Sequence, residues 1–284
     1  MMKKFIQTTV FAALLFTLGT AQANDTHQWW DNAWWQHGTL ETPTNLPVRS
    51  SRESYMSGDV EVPVLVARPD DRRKYPAVLF VHGRRGVDDL ISLHVKRLAA
   101  RGFVVFAPDL YEGRFIEVFP IEHDYELEDD LNAGLDVLLA RRDISSKQAC
   151  AYSHTRGGYY ALKIAVSNGR QDNGLACFVS YYPHMQDPNA PEPMQVYRYA
   201  MEANDLTLPT LIFIGENEQY QRRRGIEMAV NALRERERPA QLVIYPGVGR
   251  GFDFRDPSVR TFADDLASKD AIQRATRFMR EHLK

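Results

Sequence analysis

Two short segments hold the residue types that acyl transfer needs, at the spacing it needs. In Ser153-His154-Thr155-Arg156-Gly157-Gly158 a hydroxyl residue sits between small residues two places before and two places after. The run follows an apolar, strand-like stretch and opens a helical one. That is the pattern of a nucleophile elbow, G-x-S-x-G, a sharp turn that lifts one side chain off the end of a sheet. Thr155 takes the nucleophile position. A threonine hydroxyl can attack a carbonyl, but its β-branch is costly in a strained turn and crowds the approach. Ser153 is the alternative, two residues back toward the strand and out of register with the glycine pair.

The second segment, Tyr245-Pro246-Gly247-Val248-Gly249-Arg250-Gly251-Phe252, follows the last strand, where the general base belongs. Arg250 stands in the base position. A guanidinium does not give up its proton near neutral pH, so Arg250 cannot deprotonate Thr155. The carboxylate that would orient a base is expected in Gly215-Glu216-Asn217-Glu218, just after the strand Thr210 to Ile214. Glu218 fits the spacing, with Glu216 as its rival. The expectation is therefore an ion pair between Glu218 and Arg250 where an Asp–His pair would otherwise stand.

A third loop, His82-Gly83-Arg84-Arg85-Gly86, is of the His-Gly type that offers backbone N–H groups to an oxyanion. Gly83 and Arg84, with Arg156 after the elbow residue, are the candidates. Arg84, Arg85, Arg156 and Arg250 all fall in loops at one sheet edge, which leaves two outcomes. Arg84, Arg156 and Arg250 converge as a ligand site for a carboxylate or phosphate. Alternatively, Arg84 and Arg85 face solvent while Arg156 and Arg250 pair with carboxylates such as Glu218 and Asp253. His82, His154 and His184 lie in the same loops without triad spacing. No H-E-x-x-H, cysteine pair or carboxylate loop marks a metal site.

Alternating apolar runs must position these loops. Strands are expected at Val60 to Ala67, Ala77 to Val81, Phe103 to Ala107, Gln148 to Tyr152, Leu175 to Ser180, Thr210 to Ile214 and Leu242 to Tyr245. Helices are expected near Asp89 to Arg101, Glu126 to Ala140, Gly158 to Val166, Arg223 to Arg234 and Ser258 to Leu283. This alternation builds an α/β fold, a doubly wound, mostly parallel sheet with helices on both faces. The Pro-rich run Pro183 to Asp205 reads as a long loop at the carboxyl end of a strand, either covering the crevice or lying passively on the surface.

From about Val60 to Leu283 the chain resembles the dienelactone hydrolase family of α/β-hydrolases. The resemblance rests on Ala107-Pro108-Asp109-Leu110-Tyr111, the Gly157-Gly158 pair, and Tyr245-Pro246-Gly247 leading into Gly251-Phe252. It implies hydrolysis of lactones or esters by a Cys or Ser nucleophile with an Asp and a His, without cofactor. This sequence departs from that set at Thr155, Glu218 and Arg250. It also has Gly83 where the lactonases usually carry glutamate. Two functions follow: an ester or lactone hydrolase with an unusual base, or a pseudoenzyme that binds a small, anionic ligand in the crevice. A structural role in an extracellular assembly rests only on the tryptophan arm described next.

The ends and the composition bound the rest. Lys3 and Lys4 precede an apolar stretch, Val10 to Leu18, and Ala21-Gln22-Ala23 offers a cleavage site, so residues 1–23 read as a signal peptide. The mature product is expected in the periplasm or outside the cell, with no membrane insertion after cleavage. Residues 24–50 form an arm that holds all four tryptophans, from Trp29 to Trp35, and 51–284 the folded domain. A net charge of −2 with 44% hydrophobic residues gives no reason to expect a nucleic-acid partner. Cys150 and Cys177 are expected to be buried as two small apolar side chains, although export would permit a disulfide.

Overall fold

The computed structural model describes residues 46–256 and 258–284. The expected signal segment and the tryptophan cluster lie outside the described residues. Eight strands form one sheet: β1 (Val48–Ser57), β2 (Val60–Pro69), β3 (Tyr75–Val81), β4 (Val104–Pro108), β5 (Ile144–His154), β6 (Leu175–Tyr181), β7 (Thr210–Asn217) and β8 (Ala240–Gly249). Between and after them run α1 (Asp89–Ala99), α2 (Glu126–Leu139), α3 (Gly157–Val166), α4 (Glu192–Tyr197), α5 (Tyr220–Glu235) and α6 (Phe262–His282). The strand order is β1-β2-β4-β3-β5-β6-β7-β8. β2 pairs antiparallel with both β1 and β4, and the remaining pairs are parallel.

The parallel strands are continuous apolar runs because helices cover both faces. In β3, Val78, Leu79 and Phe80 are wholly buried, and each such side chain contributes about 1.5–3 kcal/mol. In α2 the stripe Leu131, Leu135 and Leu138 is buried, as its spacing requires. Asp88 caps α1 by accepting from the backbone N–H of Ile91 at 2.9 Å, and Thr261 with Asp264 closes a capping box at the start of α6. The sequence offers no apolar alternation for β1. Only Tyr55 of that strand is buried, so the strand is held by its pairing with β2 and keeps a charged outer edge.

Cys150 and Cys177 form a disulfide, contrary to the expectation of two separate thiols. The register between β5 and β6 shifts between Ala149 and Cys150 and sets the two cysteines directly opposite each other. Their Cα atoms are 4.7 Å apart, a separation that a disulfide spans readily. The bridge closes a loop with a sequence separation of 27. On the chain-entropy model, the double substitution Cys150→Ala/Cys177→Ala should lower the unfolding free energy by about 3.5 kcal/mol. A urea titration of the oxidised wild type beside the double variant measures that difference.

Candidate active-site crevice

The elbow forms where β5 ends. Thr155 takes φ 50°, in the left-handed region, which a β-branched residue enters only under strain. The turn must pass close under the neighbouring strand end. A Cβ on Gly157 would lie 2.3 Å from the Val81 carbonyl oxygen and 2.6 Å from that of His82. The backbone N–H of Thr155 donates to Tyr181, and its carbonyl accepts from Gly158 and His184. The geometry of an elbow is thus intact around a threonine. Its Oγ1 leans on Gly83, so that a Cβ at position 83 would come within 1.9 Å of it. Among the described residues, no protein group hydrogen-bonds that hydroxyl, and no protein acceptor takes the backbone N–H of Arg84 or Arg156.

The rival groups are committed elsewhere. Ser153 is buried and donates to Ser180 Oγ at 2.7 Å. Glu216 accepts from the backbone N–H of Gly247 on the exposed rim. His82 accepts a hydrogen bond from the backbone N–H of Leu110 at Nε2, so its Nδ1 carries the hydrogen and donates to the Gly83 carbonyl. Burial pushes that imidazole below its usual range. His82 therefore fixes the loop that carries Gly83 and Arg84 rather than moving protons.

Glu218 and Arg250 meet as expected. Arg250 Nη1 donates to Glu218 Oε1 at 3.0 Å, and the Glu218 side chain is wholly buried. Among the described residues, the second oxygen of Glu218 and Nη2 of Arg250 have no hydrogen-bond partner. The Arg250 guanidinium also lies 5.2 Å from the centre of the Tyr182 ring, a favourable cation–π distance.

A cavity of about 310 Å³ opens above the elbow, walled by Arg84, Arg85, Arg222 and Arg250, with Thr155 and His184 at its base and Ile91, Phe119 and Phe254 as apolar surface. Arg156, expected among the ligand-binding cations, does not line it. Its side chain is buried the other way, donating to the carbonyls of Ile121 and Glu122 at 2.7 and 2.6 Å. The helix that starts at Gly157 fixes its direction, so the arginine anchors the 121–122 loop. Neither of the two arrangements left open by the sequence holds whole. Arg250 has its carboxylate and Arg85 pairs with Asp88, but Arg84 donates to the Phe119 carbonyl and Arg222 to the Gln186 side chain.

Arg222 was not legible in advance. It is one of three consecutive arginines at the start of α5, and only the helix phase turns it inward; Arg223 pairs with Glu227 while Arg224 lies over Tyr197. Burial and the neighbouring guanidiniums of Arg250 and Arg156 lower Arg222 to about 10, which leaves it charged at neutral pH. Burial, then Arg250, Arg222, Arg156 and Arg84, push His184 well below its ordinary value, so it stands neutral among cations.

A buried cluster around Asp253 adjoins the cavity, and two of its members, His154 and Tyr182, line it. His154 Nε2 meets Asp253 Oδ2 at 2.9 Å, Tyr182 donates to Oδ1, and His94 Nε2 lies 3.2 Å from the Asp253 carbonyl oxygen. Burial alone would raise the Asp253 carboxyl, but His154, His94 and Tyr182 more than offset this and hold it below its ordinary value. The sequence reading treated Asp253 as a partner for arginine. Its place is taken by histidine and tyrosine because the short turn at Phe252–Phe254 points it inward.

A model of the dienelactone hydrolase family matches residues 62–283. A Yersinia pestis protein described as "Putative carboxymethylenebutenolidase" is 25% identical over 237 residues, 78% of this chain and 84% of that protein. Chlorophyllase type 0 of Chenopodium album is 26% identical over 187 residues, which cover 60% of this chain and about half (51%) of that protein's length. Among solved structures, a dienelactone hydrolase-like promiscuous phosphotriesterase from metagenomic libraries superposes with a TM-score of 0.66 at 18% identity, covering 84% of this chain and 100% of that one.

Proposed function

The chain belongs to the dienelactone hydrolase family, and we propose that it is a member that holds a small anionic ligand in the catalytic crevice without running the family's hydrolysis. The observation that carries this reading is the 3.0 Å ion pair between Arg250 and Glu218. It fills the place of the base and its orienting carboxylate with two groups that cannot relay a proton at neutral pH. A guanidinium stays protonated near neutral pH and so has no site to take a proton from a nucleophile. What the pair and its surroundings supply is positive charge over an apolar floor, which suits recognition of an anion.

A second reading keeps turnover. Thr155 sits in the left-handed elbow conformation at the cavity base, and the N–H groups of Arg84 and Arg156 have no protein acceptor. A substrate that brought its own base would find a nucleophile and oxyanion donors in place. The two readings separate on short-chain aryl esters and simple lactones. Wild-type protein is expected to release product no faster than Thr155→Ala or Arg250→Ala. Turnover that disappears in Thr155→Ala would instead establish a threonine-based hydrolase.

The proposal includes export. Lys3, Lys4, the apolar stretch and Ala21-Gln22-Ala23 support a cleaved signal, and the Cys150–Cys177 disulfide supports an oxidising compartment. Mass spectrometry of the secreted or periplasmic protein should find Asn24 as its first residue.

A further inference from the structure

We infer that the crevice selects a dianionic head group, a phosphate monoester or a pair of carboxylates, carried on a compact apolar body, with Arg222 and Arg84 as its principal clamps. This rests on the anion-binding reading above and narrows it to a charge and a shape.

The charges around the cavity decide the first part. Four arginines line it: Arg84, Arg85, Arg222 and Arg250. Two have carboxylate partners, Asp88 on Arg85 and Glu218 on Arg250. Arg84 and Arg222 have only a carbonyl and an amide oxygen as acceptors, so neither has a carboxylate in direct ion-pair contact among the described residues. The other titratable lining groups do not change this balance. His184 is held neutral, His154 is bound to Asp253, and the hydroxyl of Tyr182 is spent on the same carboxylate. Asp253 itself faces His154 and Tyr182 behind the wall. Arg156 adds a further cation behind the wall, again without a carboxylate. Two positive charges brought together at a part-buried site repel each other unless an anion of matching charge sits between them. Burial is the first cause of the lowered ionisation of Arg222, and the guanidiniums of Arg250 and Arg156 and, to a smaller extent, Arg84 repel its charge as well.

The available donors fit the same head group. Nε of Arg84 and Nη2 of Arg250 are buried without partners. Together with Arg222 they offer the forked N–H geometry that suits phosphate and carboxylate oxygens. The apolar share of the wall, from Ile91, Phe119 and Phe254, is of a kind that favours an aryl or short alkyl body, and about 310 Å³ leaves room for little more.

Isothermal titration calorimetry on the whole protein with four probes of similar body tests this: methyl benzoate, benzoate, phthalate and phenyl phosphate. Both dianions are expected to bind more tightly than benzoate by about tenfold or more, the effect of one additional charge-assisted hydrogen bond. Affinity for phenyl phosphate should rise as its second proton leaves near about pH 6. Arg222→Gln should compress the dianion-to-benzoate ratio toward unity, while Arg223→Gln, on the adjacent ion-paired residue, should leave it unchanged. Near-UV circular dichroism and the urea midpoint check that both variants are folded. Benzoate binding as tightly as the dianions would overturn the dianion assignment and leave the anion-binding reading standing. Anion affinities unchanged in both Arg222→Gln and Arg250→Gln, or no saturable anion binding at all, would remove the parent reading as well. Preference for phthalate over phenyl phosphate, or the reverse, identifies which dianion the clamp was built for.

Discussion

Asp253→Ala is expected to lower the unfolding free energy by about 3–5 kcal/mol, the range for removing one member of a buried charged network. The carboxylate is buried and takes hydrogen bonds on both oxygens, from His154 on one and Tyr182 on the other. Truncation leaves a ring N–H and a phenol O–H without their acceptor, with His94 losing a carboxylate neighbour 3.8 Å away. Each orphaned donor carries a desolvation cost of about 1–3 kcal/mol. Asp253→Asn separates charge from shape. It keeps an acceptor for Tyr182 but turns an N–H toward His154, so its cost should be smaller, at about 1–3 kcal/mol. Urea unfolding followed by circular dichroism gives both numbers. A loss below about 1 kcal/mol for the alanine variant would mean that His154 and Tyr182 find other partners when Asp253 is gone.

Stability should also fall steeply between pH 6.5 and pH 4, beginning above the range in which ordinary carboxylates titrate. His94 is buried and pushed down to about 4 from an ordinary value of 6.5, with burial as the main cause. Between those values the unfolded chain binds a proton that the folded chain refuses, so acid favours unfolding. For His94 alone the loss from pH 7 to pH 4 is about 3 kcal/mol. His184 and His82 are lowered by burial in the same direction and add to it. Asp253 acts in a different window. Its folded value lies below the ordinary 3.8, so its contribution is present above that value and disappears as pH falls through the folded one. Urea midpoints measured at half-unit intervals should therefore show a slope beginning near pH 6.5. His94→Asn, which can still donate toward the Asp253 carbonyl, should flatten the early part of that slope. A flat profile down to pH 4.5 would show that the buried histidines take up protons without unfolding.

Much of the fold was legible because burial on both faces demands unbroken apolar runs. Ala77 to Val81 and Thr210 to Ile214 are such runs, and they appear inside β3 and β7. β1 was invisible for the opposite reason. An exposed edge strand such as Arg49-Ser50-Ser51-Arg52-Glu53 has no apolar face to reveal it, and only the pairing with β2 defines it. The site divides along similar lines. The meeting of Glu218 with Arg250 follows from loop positions at adjacent strand ends, which topology fixes. The outward turn of Arg156 and the inward turn of Arg222 depend on helix phase and on carbonyls supplied by distant loops. The cysteine bridge depends on a one-residue irregularity in strand register. None of these leaves a mark in residue spacing.

The contact between Thr155 Oγ1 and Gly83 ties two positions in different loops into one hereditary unit. A side chain at position 83 would have to occupy space within 1.9 Å of that oxygen, so the glutamate that lactonases usually carry there has no place while threonine keeps this conformation. Changes at 83 and 155 are therefore expected to be strongly non-additive, and the order in which they occur matters. An acid at 83 requires that Thr155 first leave this conformation or be replaced. The crevice is for that reason closed to any single substitution that places a side chain at position 83 while Thr155 stays as it is.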